Sequence, residues 1–116
     1  MSISVKALSD GRWLVAVSGR LEQTQTPQLE STLQELLQKG HKELIIDLHE
    51  TSYINSGGLR CLVTAWRMAR EQGGDLYLCC LTPRVKDVVV MVGFDKVFRV
   101  FDSLEEAQRS WEFRPS

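Results

Sequence analysis

The chain has 116 residues, a length that suits one domain whose core needs neither a metal nor a disulfide. Its 14 lysines and arginines against 15 aspartates and glutamates give a net charge of -1, which argues against direct nucleic-acid binding. The sequence shows neither the apolar segment of a signal peptide near its start nor an apolar run of about 20 residues. We therefore expect a cytoplasmic protein with no membrane span.

Residues 3–8 and 13–18 alternate between apolar and polar side chains, and the turn residues between them predict an antiparallel hairpin. Thr26 is then a good helix N-cap, with Pro27 at the first helical position. Leucines follow at helical spacing, and Gly40 ends this helix. The first third of the chain is therefore predicted to be strand, strand, helix.

The short apolar run at 44–48 predicts a buried central strand, and the amphipathic segment at about 57–72 predicts a helix. The remaining predicted elements are a strand at 76–81, a helix at 83–92, a strand at 94–101 and a helix capped by Ser103 and Glu106. A hairpin followed by alternating helices and strands indicates an α/β fold. We expect one domain, with a mixed sheet of four to five strands and about four helices packed against it.

The three cysteines are Cys61, Cys79 and Cys80, and they contain no C-x-x-C pair. We expect Cys61 to lie beside the outward face of the 57–72 helix. Cys79 and Cys80 are neighbours in a predicted strand, so we expect them to point to opposite faces and not to share a metal. His41 and His49 are placed in polar turns. The sequence therefore predicts no metal and no cofactor.

The helix predicted at 57–72 has two distinct faces. The inward face consists of Leu59, Leu62, Val63, Trp66 and Ala69. The outward face consists of Arg60, Thr64, Arg67 and Glu71. This outward face is either solvated or a docking surface for a partner.

The turn Asn55-Ser56-Gly57-Gly58 leads into this helix. Ser56 places a hydroxyl at or beside the N-cap, where backbone N–H groups are unpaired and the helix dipole is positive. Two interpretations follow: the hydroxyl caps the helix, or it accepts a phosphate that the helix N-terminus would stabilise. For Gly57 and Gly58, the pattern predicts positive φ and close helix packing.

Three motifs stand out along the chain. They are Asp47-Leu48 followed after five residues by Ile54-Asn55-Ser56-Gly57-Gly58-Leu59, then Gly19-Arg20-Leu21-Glu22 with Thr26-Pro27, and finally the segment 93–107. Together they resemble the STAS domain family, which includes bacterial anti-sigma factor antagonists and related domains in transporters. The resemblance covers nearly the whole chain and implies the STAS fold.

The resemblance also implies a mechanism. The family's antagonists bind a cytoplasmic anti-sigma factor, usually an ATP-dependent serine kinase, and so release a sigma factor for transcription. Phosphorylation of the turn by that kinase breaks the complex, and a PP2C-type phosphatase restores it.

Two positions depart from the family pattern Asp-Ser-Ser/Thr-Gly-Leu. Asn55 stands where the family has Asp, and Gly57 stands where the family has its phosphoacceptor hydroxyl. Ser56 is the hydroxyl that remains in the turn, and it is our candidate phosphoacceptor. Glu22 likewise replaces the Asp of a Gly-x-Leu-Asp motif and keeps its charge.

The main hypothesis is thus a non-enzymatic anti-sigma factor antagonist. Its expected partner-binding residues are Glu22, Asn55, Ser56, Gly57, Gly58, Arg60, Thr64 and Arg67. The alternative is a STAS subunit of an ABC-type lipid transport system, a branch that also has a hydroxyl followed by Gly-Gly-Leu. The segment 93–107 favours the antagonists. A hydrolase is not expected, because the turn lacks G-x-S-x-G and neither histidine has an obvious orienting carboxylate.

Overall fold

The computed structural model describes residues 2–22 and 25–112. Five strands and four helices follow one another in the order that the sequence predicts. They are β1 Ser2–Ala7, β2 Trp13–Leu21, α1 Thr26–Gln38, β3 Glu43–Ile54, α2 Ser56–Glu71, β4 Asp75–Cys79, α3 Pro83–Met91, β5 Arg99–Phe101 and α4 Leu104–Glu112. One 3₁₀ turn, Phe94–Lys96, lies between α3 and β5.

The strands form a single mixed sheet in the order β1-β2-β3-β4-β5. β1 is antiparallel to β2, while the pairs β2–β3, β3–β4 and β4–β5 are parallel. Each parallel pair is joined by a helical crossover, as parallel pairing requires. The predicted α/β fold with a mixed sheet is confirmed.

The two faces of the sheet carry unequal cores. Helices α1, α2 and α3 contribute to the larger core, which includes Leu44, Ile46 and Leu78 from the central strands. The intervening residues point the other way, and α4 covers them with Ala107 and Trp111. The larger core supplies most of the buried apolar area that stabilises the fold.

Strand β3 is longer than the predicted 44–48, because it continues to Ile54. Its second half pairs with the end of β2, whereas its pairing with β4 stops at Asp47. The second half of β3 therefore has a neighbouring strand on one side only, and it can carry polar side chains. Those polar side chains are the reason why the sequence pattern did not predict it as strand. His49 therefore lies in a strand, and its placement in a turn was wrong.

Three smaller predictions have mixed outcomes. The strand predicted at 94–101 is wrong over most of its length, since Gly93 has φ +79° and the chain makes the 3₁₀ turn before the short β5. The N-cap of α1 is Gln25, and the Thr26 hydroxyl donates instead to the Glu22 carbonyl at 3.1 Å. The cap at Ser103 is confirmed, because its Oγ accepts from the Glu106 N–H at 3.1 Å.

Within the described ranges, no helix combines the length and the hydrophobicity that crossing a bilayer requires.

Candidate functional site

The turn between β3 and α2 is fixed by Asn55. Its backbone N–H donates to the Leu21 carbonyl at 3.2 Å, which ties the turn to the end of β2. Its side-chain Oδ1 accepts from the Gly58 N–H at 3.0 Å. Asn55 is therefore the N-cap, and Ser56 is the first residue of α2. The interpretation of Ser56 as the capping hydroxyl is wrong, because its neighbour already fills that role.

The Ser56 side chain is exposed at the start of α2. Among the described residues it makes no hydrogen bond. It also sits where the unpaired N–H groups of the first helical turn give a partial positive charge. The hydroxyl is thus accessible to a partner, and the fold does not depend on it.

The two glycines of the turn differ in how much space surrounds them. Neither has a positive φ, so that part of the prediction is wrong. A Cβ on Gly58 would lie 3.0 Å from Ile54 Cγ1 and 3.0 Å from Leu21 Cγ, which confirms close packing. A Cβ on Gly57 would lie 3.4 Å from Asn55 Oδ1, an ordinary contact. A side chain at Gly57, where the family places its phosphoacceptor, is therefore sterically tolerated.

The two faces of α2 agree with the sequence pattern. Arg60, Thr64, Arg67 and Glu71 are exposed, and the predicted inward residues are buried or partly buried. Cys61 differs, because it is buried among the residues of α1 and α2. Its expected place beside the outward face is wrong. Burial raises the pKa of the Cys61 thiol to about 11, so at neutral pH it is a protonated packing group.

Glu22 lies at the same end of the sheet as the turn, directly after the Leu21 that holds Asn55. Its carboxylate accepts from the Arg20 Nε at 3.2 Å. This hydrogen bond and the accompanying charge attraction raise the pKa of Arg20. The Arg20 guanidinium also lies 4.5 Å from the centre of the Tyr53 ring. The structure thus brings Glu22 next to the predicted docking turn, with its charge balanced by Arg20.

Two recesses flank Ser56. A polar cleft of about 350 Å³ is lined by Thr26, Pro27, Asn55, Ser56, Gly57 and Arg60. An apolar groove of about 250 Å³ is lined by Ser56, Leu59, Arg60, Val63, Val92 and Phe94. Ser56 and Arg60 line both, so they form the ridge between the cleft and the groove.

The groove continues into an apolar patch that the sequence analysis missed. Val90, Met91 and Val92 at the end of α3 are 50%, 80% and 47% exposed, and Val97, which follows the 3₁₀ turn, is 36% exposed. Several large exposed apolar side chains beside an apolar groove are typical of interaction surfaces. The available signal was the run of apolar residues from Val88 to Val92, which exceeds what one buried helix face needs.

The chain is similar to known proteins of one family. The family described as STAS domain matches residues 5–107. A Bordetella bronchiseptica protein, BtrV, provisionally named as an anti-sigma factor antagonist, is 32% identical over 103 residues, which is 89% of each chain. The anti-sigma F factor antagonist of Paenibacillus polymyxa is 22% identical over 94 residues, which is 80% of each chain.

Solved structures agree on the fold. An anti-sigma factor antagonist from Mycobacterium paratuberculosis superposes with a TM-score of 0.85 at 24% identity, covering 94% of this chain and 92% of that one. The antagonist SpoIIAA in its unphosphorylated form gives a TM-score of 0.76 at 15% identity, covering 96% and 97%. From the family match and the 32% identical relative, we conclude that the chain belongs to the STAS domain family.

Proposed function

We propose that this STAS domain is an anti-sigma factor antagonist. It acts in the cytoplasm by binding rather than by catalysis: it occupies an anti-sigma factor of the serine-kinase type, and the sigma factor is released for transcription. Support comes from the relatives named as antagonists and from the surface around Ser56. The observation that carries the proposal is the exposed Ser56 hydroxyl on a ridge between a polar cleft and an apolar groove.

The docking surface that we propose combines the predicted residues with the apolar patch. Asn55, Gly57 and Gly58 shape the turn, while Arg60, Thr64 and Arg67 extend the surface along the exposed face of α2. Glu22 and Arg20 border it at the end of β2. Such a surface combines apolar and charged side chains, as protein interfaces do. We expect Met91 to bury the largest apolar area on binding, because it is the most exposed of the large apolar side chains that the structure describes.

Phosphorylation of Ser56 by the partner kinase would switch this surface. A phosphoryl group adds about two negative charges at neutral pH. It would lie at the positive end of α2, one helical turn from Arg60, and an i, i+4 pair of opposite charges would form. Arg60 would then be occupied and the ridge would become anionic, so the complex would dissociate. A PP2C-type phosphatase would reverse the change.

The first experiment is affinity capture from a lysate of the source cell, with wild type, Ser56→Asp and Ser31→Asp as baits and mass spectrometry of the retained proteins. Ser31 is exposed on α1, so Ser31→Asp controls for the added charge alone. We expect a kinase-like ATPase on wild type and on Ser31→Asp, but not on Ser56→Asp. Recovery of a transporter ATPase instead would favour the alternative, a subunit of an ABC-type lipid transport system.

Titration calorimetry with the purified partner then measures the size of the effect. We expect Ser56→Asp to weaken binding by about 100-fold, because an uncompensated like charge at an interface costs several kcal/mol. Ser56→Ala is the neutral control and should bind within a few-fold of wild type. Equal affinities for wild type and Ser56→Asp would rule out docking through this turn.

A kinase assay with the purified partner and ATP tests the switch separately from docking. Mass spectrometry of the peptide that carries the turn should show one phosphoryl group in wild type and none in Ser56→Ala. Gly57→Ser restores the family's acceptor at a position with room for a side chain. If Gly57→Ser is phosphorylated and wild type is not, the chain is an antagonist without this switch.

A further inference from the structure

Where the pairing of β3 with β4 ends, the structure brings together three side chains that the sequence analysis kept apart. Cys79 is the last residue of β4, and it pairs in register with Asp47 of β3. Cys80 follows with φ +64°, the one positive φ among the described non-glycine residues. This left-handed conformation turns the Cys80 side chain toward that of Cys79. The expectation that the two thiols point to opposite faces is therefore wrong.

The three side chains lie close together. A carboxylate oxygen of Asp47, the Sγ of Cys79 and the Sγ of Cys80 all lie within 4.8 Å of one another. Asp47 Oδ1 also accepts from the His49 backbone N–H at 2.9 Å, which holds this carboxylate in place. Cys80 and Leu104, the first residue of α4, both pack against the smaller core that contains Cys79. Two strands and a helix therefore meet at this cluster.

We propose that Asp47, Cys79 and Cys80 form a binding site for a thiophilic divalent cation, with Zn²⁺ as the best fit. Zn²⁺ binds thiolate at about 2.3 Å and carboxylate at about 2.0–2.2 Å in tetrahedral geometry. Ligand atoms around such an ion are roughly 3.5–3.8 Å apart. The three groups are close enough to reach that spacing with small side-chain movements. The fourth position would hold water or an outside ligand.

The surroundings of the cluster support it as a metal site. The Asp47 side chain is 14% exposed and Cys80 is partly exposed, so an ion has access from solvent, while Cys79 is fully buried. The His49 Nδ1 lies 3.2 Å from Asp47 Oδ1. This contact corrects the expectation that neither histidine has a carboxylate partner. Outer partners of this kind orient the ligands of a metal.

Binding of the ion would displace protons. Zn²⁺ binds sulfur as the thiolate, so each thiol must lose its proton to solvent as the sulfur–metal bond forms. The bound ion would tie β3 and β4 together beside the first residue of α4. Because it favours the folded state, it should raise the melting temperature with increasing Zn²⁺ concentration.

The test is titration of the full, reduced chain with Co²⁺ as a spectroscopic probe, followed by its displacement with Zn²⁺. We expect thiolate-to-cobalt charge-transfer absorption in wild type. The control variant Cys61→Ala should show the same absorption, because Cys61 lies in the larger core and not in the smaller core with Cys79 and Cys80. The absorption should disappear in Cys80→Ser. Asp47→Asn should keep part of it and lower the Zn²⁺ affinity at least tenfold.

A second variant at Cys80 distinguishes loss of the metal site from failure to fold. Cys80→Gly removes the thiol at a position whose positive φ favours glycine, so it should fold without metal and should also lose the charge-transfer absorption. Circular dichroism establishes that it is folded. Wild type that binds Co²⁺ with no thiolate absorption, or folded Cys80 variants that bind Zn²⁺ as tightly as wild type, would overturn the proposal.

Discussion

Two consecutive strand-to-helix turns, β3 to α2 and β4 to α3, each place a hydroxyl at the start of a helix but use it differently. In the second turn Thr82 is the N-cap: its Oγ1 accepts from the Val85 N–H at 3.4 Å and donates to the Thr51 carbonyl at 2.9 Å. In the first turn Asn55 is the cap, and the Ser56 hydroxyl is exposed. A hydroxyl that the fold does not use is available to a partner.

The two turns also differ in how the residue three positions after each cap is packed. Gly58 and Val85 both donate their N–H to the cap side chain. The Val85 side chain is fully buried in the core, whereas a Cβ on Gly58 would press on Leu21 and Ile54. The first turn is therefore packed directly against two strands, while the second is held through a side chain.

The largest effect on stability is expected from Gly58→Val, which places in the first turn the residue that the second turn has. Its side chain has no space beside Leu21 and Ile54, so we expect a loss of about 3 kcal/mol in the free energy of unfolding. Urea denaturation measures it. Gly57→Ala is the matched control, and it should change stability by less than about 1 kcal/mol because its Cβ has room. Equal losses for the two variants would contradict the packing argument.

The next effect is that of Thr82→Val, which keeps the shape of the side chain and removes its hydroxyl. The variant loses the cap of α3 and leaves the Thr51 carbonyl without this donor, so we expect a loss of about 2 kcal/mol. Thermal and urea unfolding both report it. Thr82→Ser retains the hydroxyl and should recover most of the loss. If Thr82→Ser is as unstable as Thr82→Val, the methyl group rather than the hydroxyl matters here.

The contrast between the turns also shows what the sequence could predict. Alternation and helical spacing depend on local burial, and they located every strand and helix of the larger core. The strand-to-helix turn at Asn55 was found for the same reason. Which of two adjacent polar side chains would cap α2 was not predictable, because Asn55 and Ser56 are both good caps and the choice depends on where β3 ends.

Three further features depended on tertiary contacts. The extension of β3 beyond Leu48 is stabilised by pairing with β2. Met91 is 80% exposed although Val85 and Val89 of the same helix are buried in the larger core. The contact of Cys79 with Cys80 requires a positive φ that no local residue preference indicates, since cysteine rarely adopts it. In each case the deciding interaction is distant in sequence or contrary to local propensity.

Asn55→Ala should have a smaller effect than Thr82→Val, because it removes a cap but no second hydrogen bond of the side chain. We expect a loss of about 1 kcal/mol in the free energy of unfolding. Asn55→Asp keeps an acceptor for the Gly58 N–H and restores the family's usual residue, so it should be as stable as wild type or more so. A loss in Asn55→Asp equal to that in Asn55→Ala would show that the cap contributes nothing.

The smallest effect on stability is expected from Ser56→Ala, because the exposed hydroxyl has no partner within the described part of the chain. The change in unfolding free energy should stay within about 0.5 kcal/mol. The double variant Asn55→Ala/Ser56→Ala is a stricter test of this prediction. If the two sites are independent, its loss of unfolding free energy should equal the sum of the two single losses to within about 0.5 kcal/mol. A larger loss in the double variant would mean that Ser56 takes over capping when Asn55 is absent. Additivity would mean that the fold makes no use of this hydroxyl, which is what the proposed role in partner binding requires.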